Sequence, residues 1–236
     1  MDSLRIKPSE VLNKFQLSEI RQKNDIRNII ALLFDWGMMA FGISLFYLYP
    51  NLLTFLISAV IIGSRQFALA VLAHDGAHHL LFDNDKINDF ASQWFCAYPV
   101  FQDNRAYRPY HLKHHRFTET ENDPDISLSA PFPITKKSFM RKVIRDLSGV
   151  TGYKRYSSTL MGILRTEGSS PTKKILKIWD KSHGFLITNL SIFFLISYFT
   201  HWSLFFMLWW LPAFTYYSLI IRIRNIAEHC VTPGNT

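Results

Sequence analysis

The chain reads as an all-α membrane protein: four transmembrane helices in two hairpins, with a cytoplasmic histidine-rich insert and interfacial helices. Three observations predict this. Two long stretches are nearly free of charge, the basic residues avoid the turns inside those stretches, and seven of the nine histidines gather in three groups beside them.

Taken in order, the first 27 residues are charged and amphipathic, without the cleavage site of a signal peptide. From Asn28 to Ser64 the single charged residue is Asp35, and from Gly184 to Ile221 there is none. Stretches of 37 and 38 residues are long enough to cross and return, because one crossing takes about 20. Spans are expected at 29–49, 52–73, 184–200 and 202–221, with turns at Tyr49-Pro50-Asn51 and Thr200-His201-Trp202. Runs such as Phe193-Phe194-Leu195-Ile196 lack a polar face, which argues against buried hairpins of a soluble protein. Asp35 and Arg65 are the formal charges inside the spans. Charges at that depth are costly unless paired, so an interhelical Asp35–Arg65 pair is expected.

The lysines and arginines fix orientation. Of 26, six lie in residues 1–28, seventeen in 74–183 and two after Ile221; the two turns within the paired spans carry none. Basic excess marks the cytoplasmic side, so both termini and the central insert are expected there. The net charge of +8 follows the membrane boundary and suits anionic headgroups. Nucleic acid is not an expected partner. Cys96 and Cys230 suggest neither a disulfide framework nor a thiolate metal site. Segments 86–101 and 138–167 mix apolar and polar residues at helical spacing, as interfacial pieces do.

The histidines read His74-Asp-Gly-Ala-His78-His79, His111-Leu-Lys-His114-His115 and Asn225-Ile-Ala-Glu-His229. Residues three or four apart share a helix face, so each group presents imidazoles, or an imidazole and an amide, toward one point. Pro109 suits the start of the helix bearing the second group. All three groups fall at the same predicted membrane face, although that topology came from lysine and arginine alone. Imidazole is the commonest neutral metal ligand, and a thiolate-free imidazole set suits iron, zinc, copper or nickel. His183 and His201 lack such neighbours and default to structural roles.

These motifs resemble the integral-membrane fatty acid desaturase superfamily, which includes hydroxylases and carotenoid-modifying oxygenases. Its signature is an HxxxH box, an HxxHH box and a final HxxHH box on the cytoplasmic side of a four-span bundle. His74–His79 and His111–His115 match the first two boxes. Asn225 and His229 resemble an Asn-x-x-x-His element that precedes the last box, and Asp123-Pro124-Asp125 also fits. The resemblance covers most of the chain and reads residues 1–236 as a single desaturase-like domain.

The resemblance implies two iron ions and dioxygen as co-substrate. The implied ligands are His74, His78, His79, His111, His114, His115 and His229, with Asn225 acting through water or as a weak ligand. Asp75, Asp123, Asp125 and Glu228 are candidate acceptors for the second ring nitrogens. A membrane lipid or acyl chain is the implied substrate. No haem or iron–sulfur motif appears, so electrons are expected from an external donor of ferredoxin or cytochrome b5 type. One departure stands out: the chain stops at Thr236, seven residues after His229, without a final HxxHH box. The expectation is a chain truncated at its C-terminus.

The leading reading is introduction of a double bond into a fatty acyl chain. A lipid or carotenoid hydroxylase or ketolase uses the same ligand set. A membrane metal transporter or sensor is the non-enzyme alternative, but it should place ionisable ligands near midplane. Here the clusters lie at span ends.

Overall fold

The computed structural model describes residues 8–20, 22–118, 120–126 and 132–229. Among these, every regular element is helical. After the short α1 (Pro8–Val11) and α2 (Lys14–Ile20) come α3 (Asp25–Leu48) and α4 (Leu52–Ala77). The turn between them falls at Tyr49-Pro50-Asn51, as the sequence predicts. Asn51 and Thr54 stop one helix and start the next through a reciprocal capping box. Asn24 caps α3 by accepting from the Arg27 N–H.

Among the described residues, four helical stretches are long and apolar enough to cross a membrane: Asp25–Leu48, Leu52–Ala77, Pro171–Phe199 and Phe205–Glu228. Their shared core contains Met39, Ile43, Ile62, Leu69, Ile192, Ile196, Leu208 and Trp209. Trp36 stacks on Trp209 at 5.8 Å. Leu33, Leu52, Phe194 and Leu195 face outward, a surface suited to hydrocarbon rather than water. The expected ion pair is present, with Arg65 Nη1 3.0 Å from Asp35 Oδ1. The Arg65 guanidinium also lies 5.8 Å from the Phe34 ring centre.

Between the second and third long helices lie α5 (Asp85–Ala91), a π-helical turn (Ser92–Ala97), a 3-10 turn (Tyr98–Val100) and α6 (Asn104–Phe117). These are followed by α7 (Lys136–Leu147) and α8 (Val150–Leu164). Of segment 86–101, read from the sequence as an interfacial piece, only the first half exposes its apolar side chains. Ile87 and Phe90 are exposed, but Ser92, Gln93 and Cys96–Val100 are buried against the end of α4 and the helix from Pro171. Close packing explains the difference. Gly76 leaves room for Ser92, where a Cβ would come within 2.2 Å. In 138–167, α7 exposes Met140, Ile144 and Leu147 beside Arg141 and Arg145.

The third long helix, α9 (Pro171–Phe199), starts 13 residues before the predicted span, because Ser170 caps it and its charged first turns need no lipid. The fourth is broken. A π-helical turn at Phe205–Trp210 leads into α10 (Leu211–Phe214), then α11 (Tyr216–His229) after Thr215. Backbone groups freed by such breaks must be answered inside the protein. Gln66 Nε2 donates to the Trp209 carbonyl at 2.8 Å, and Arg155 Nη2 donates to the Ala213 carbonyl at 3.2 Å. Asp146, fully buried at the end of α7, pairs with Arg222 of α11 and accepts from Thr151 Oγ1 at 2.5 Å.

Candidate metal centre

The end of α4 and the length of α6 bring two histidine groups together. His74 sits in the last turn of α4 and His78 is its C-cap. The second group does not begin at Pro109, as the sequence suggested. Asp103 caps α6 by accepting from the Arg105 N–H, so Pro109 lies inside the helix and the histidines occupy its last two turns. On α6 the spacing 104, 108, 111, 115 marks one stripe. His111 and His115 lie on it.

Four imidazoles converge: one nitrogen from each of His74, His78, His111 and His115 lies within 4.8 Å of the other three. His111 Nε2 is 3.0 Å from His78 Nε2 and 2.9 Å from His115 Nε2. Metal–imidazole bonds of about 2.0–2.1 Å leave neighbouring donor nitrogens roughly 2.9–3.4 Å apart, and the two His111 contacts have that spacing. Protons alone serve it poorly, because each neutral ring carries a single N–H and three nitrogens here face one another. Burial, then the surrounding imidazoles, depress the pKa of His111 to about 3 and also lower that of His78. Both rings are therefore neutral near pH 7, the form that binds metal.

The other candidates divide differently. His79 follows the helix end with φ of 57°, which turns its ring away from the four. Its Nδ1 meets Asp85 at 2.8 Å and its Nε2 lies 3.2 Å from Asp89. His114 is buried, with Nδ1 2.7 Å from Asp123 Oδ1. A carboxylate only accepts, so that nitrogen bears the proton, and in the neutral ring the lone pair sits on Nε2. The His114 ring centre lies 5.9 Å from that of His111 and 5.6 Å from that of His115, at the edge of the group. Asn225 is half-buried on α11, one turn before His229, whose side chain lies outside the described residues. Helix α11 nevertheless approaches the site. Tyr107 stacks on His111 at 4.8 Å, and burial pushes its hydroxyl pKa up to about 12, with Arg224 of α11 opposing the rise.

Of the four carboxylates expected to orient rings, Asp123 does so and Asp75 lies 3.3 Å from His74 Nδ1. Asp125 sits 3.7 Å from His114 Nδ1 and accepts from the Tyr110 hydroxyl at 2.5 Å. Glu228 pairs with Arg224 at 2.7 Å. Sequence reasoning missed Asp85, Asp89 and Tyr107. Asn84, an N-cap residue opening a helix six residues beyond His79, was the available signal for the first two. Cys96 is a buried free thiol, its pKa raised by burial, while Cys230 lies outside the described residues.

Over 120 residues the chain is 35% identical to the dihydrorhizobitoxine desaturase of Bradyrhizobium elkanii. The matched stretch covers 50% of this chain and 33% of that protein, so the chain spans about a third of the length of the curated relative it matches. No solved structure matches. The sequence model of the fatty acid desaturase family matches residues 50–234, which include the histidine junction and all of α11; the chain belongs to the fatty acid desaturase family.

Proposed function

We propose that the protein is a membrane-bound, oxygen-dependent oxidoreductase that introduces a double bond into a fatty acyl chain, with iron at the histidine junction. The observation that carries this reading is the approach of His111 Nε2 to the Nε2 atoms of His78 and His115, at 3.0 and 2.9 Å. Removing hydrogen from an unactivated methylene needs an oxidant that no side chain supplies; iron with dioxygen supplies it, and the protein orients and shields.

His74, His78, His111 and His115 hold one ion. His114 and the Asn225/His229 pair would serve a second. Asp123 fixes the His114 tautomer, and Asp75 supports His74. Tyr107, stacked on His111, covers one side of the junction with an aromatic wall. The long apolar helices support a site at the lipid boundary, where an acyl chain would reach it without leaving hydrocarbon. The positive-inside pattern supports a cytoplasmic site served by a separate electron donor.

The test is iron content together with product analysis in membranes carrying the protein. Bound iron and a new acyl double bond are the expected result. An inserted hydroxyl instead assigns the site to hydroxylation, and iron-free purified protein overturns the reading.

A further inference from the structure

The two histidine helices are joined by amides as well as by imidazoles. Asn104, the first residue of α6, is buried, and its Nδ2 donates to the Ala73 carbonyl at 2.8 Å, one residue before His74. Its backbone N–H donates to Gln93 Oε1 at 2.9 Å. Gln93 Nε2 in turn donates to Asp103 Oδ1 at 3.1 Å, the carboxylate that caps α6. Three residues further along α4, Asn88 Nδ2 donates to the Gly76 carbonyl at 2.8 Å. Asn88, fully buried, uses its Oδ1 to accept from the Leu81 and Phe82 N–H groups.

The residue types are informative. Asn104 Oδ1 is buried with no partner among the described residues, and an apolar residue there would avoid that cost. What asparagine adds is the donor aimed at Ala73. Asn104 also lies on the same stripe of α6 as His111, about 10 Å away by helix rise. One end of that stripe is pinned to α4 by the amide, and the other meets α4 at the imidazole junction.

We propose that Asn104 and Asn88 are positioning residues that act before any metal arrives: Asn104 ties the start of α6 to α4 beside His74, and Asn88 fixes the end of α4 between His74 and His78. This rests on the metal-centre reading above. Supporting groups of this kind typically change metal affinity by about 10–100-fold, by pre-organising ligands rather than binding the ion.

The test is Co²⁺ affinity by chelator competition, with the melting temperature of the metal-free protein measured alongside. Asn189→Ala is the control: Asn189 is equally buried and donates to the Tyr98 carbonyl at 3.1 Å, but bonds neither histidine helix. Asn104→Ala and Asn104→Asp should weaken Co²⁺ binding about 10-fold or more, beyond any loss in Asn189→Ala at a comparable melting temperature. Should neither Asn104 variant fold, Asn88→Ala is compared with the same control. Affinity equal to the parent, or a loss matched by Asn189→Ala, overturns the assignment. A parent protein that binds no Co²⁺ instead contradicts the metal-centre reading itself.

Discussion

The junction between α4 and α6 and the acidic margin around it use the same side chain in opposite ways. At the junction, His74, His78, His111 and His115 face one another. At the margin, His79 and His114 face Asp85, Asp89 and Asp123. An imidazole beside other imidazoles is pushed toward its neutral, ligating form. One held by a carboxylate has its tautomer and orientation fixed. Histidines of one motif therefore divide into rings that face one another and rings held at the margin by carboxylates, while His74, 3.3 Å from Asp75, does both.

The comparison breaks first at His111. Its Nε2 lies between two others, so His111→Ala should weaken Co²⁺ binding by more than about 100-fold, above the range for a supporting group. Chelator competition measures this. Affinity within a few-fold of the parent would mean that the junction is packing rather than a ligand set.

The margin should respond less, and unevenly. Asp123→Asn removes the charged acceptor from a buried histidine and should cost about 10-fold in Co²⁺ affinity. Asp85→Asn acts on a ring turned away from the junction, through a carboxylate that is 69% exposed. It should leave affinity within about 3-fold, below the range for groups that orient a ligand. Equal losses in the two variants would erase the distinction between His114 and His79.

A smaller and more general effect is in pH. The depressed pKa values of His78 and His111 mean that the unfolded chain binds more protons between about 3 and 6.5. Stability of the metal-free protein should therefore be fully present above pH 6.5 and fall as pH drops through that window. Unfolding midpoints measured across it should decline, and His111→Ala should flatten the decline.

Much of this was readable from residue order. Asn51 marked the tight turn, isolation in apolar surroundings forced Asp35 and Arg65 together, and four-residue spacing put His74 and His78 on one side. The misreadings share a cause: local spacing does not say what covers a face. The apolar residues of 92–100 looked fit for lipid but are covered by protein, since Gly76 lets the backbone come close. Pro109 looked like a helix start because its ring tolerates that position, yet Asp103 is the cap. His79 was counted with His78 because sequence does not reveal a backbone turned to φ of 57°. The bridging amides of Asn88, Gln93 and Asn104 bond across up to 31 positions, a range beyond any helical pattern.

The most direct test of convergence is X-ray absorption at the iron edge of the Fe²⁺-loaded protein, beside His111→Ala. The account predicts an imidazole-nitrogen shell near about 2.1 Å, with fewer nitrogens or no bound iron in the variant. Identical spectra from the two proteins, or a shell without imidazole scattering in the parent, would contradict it.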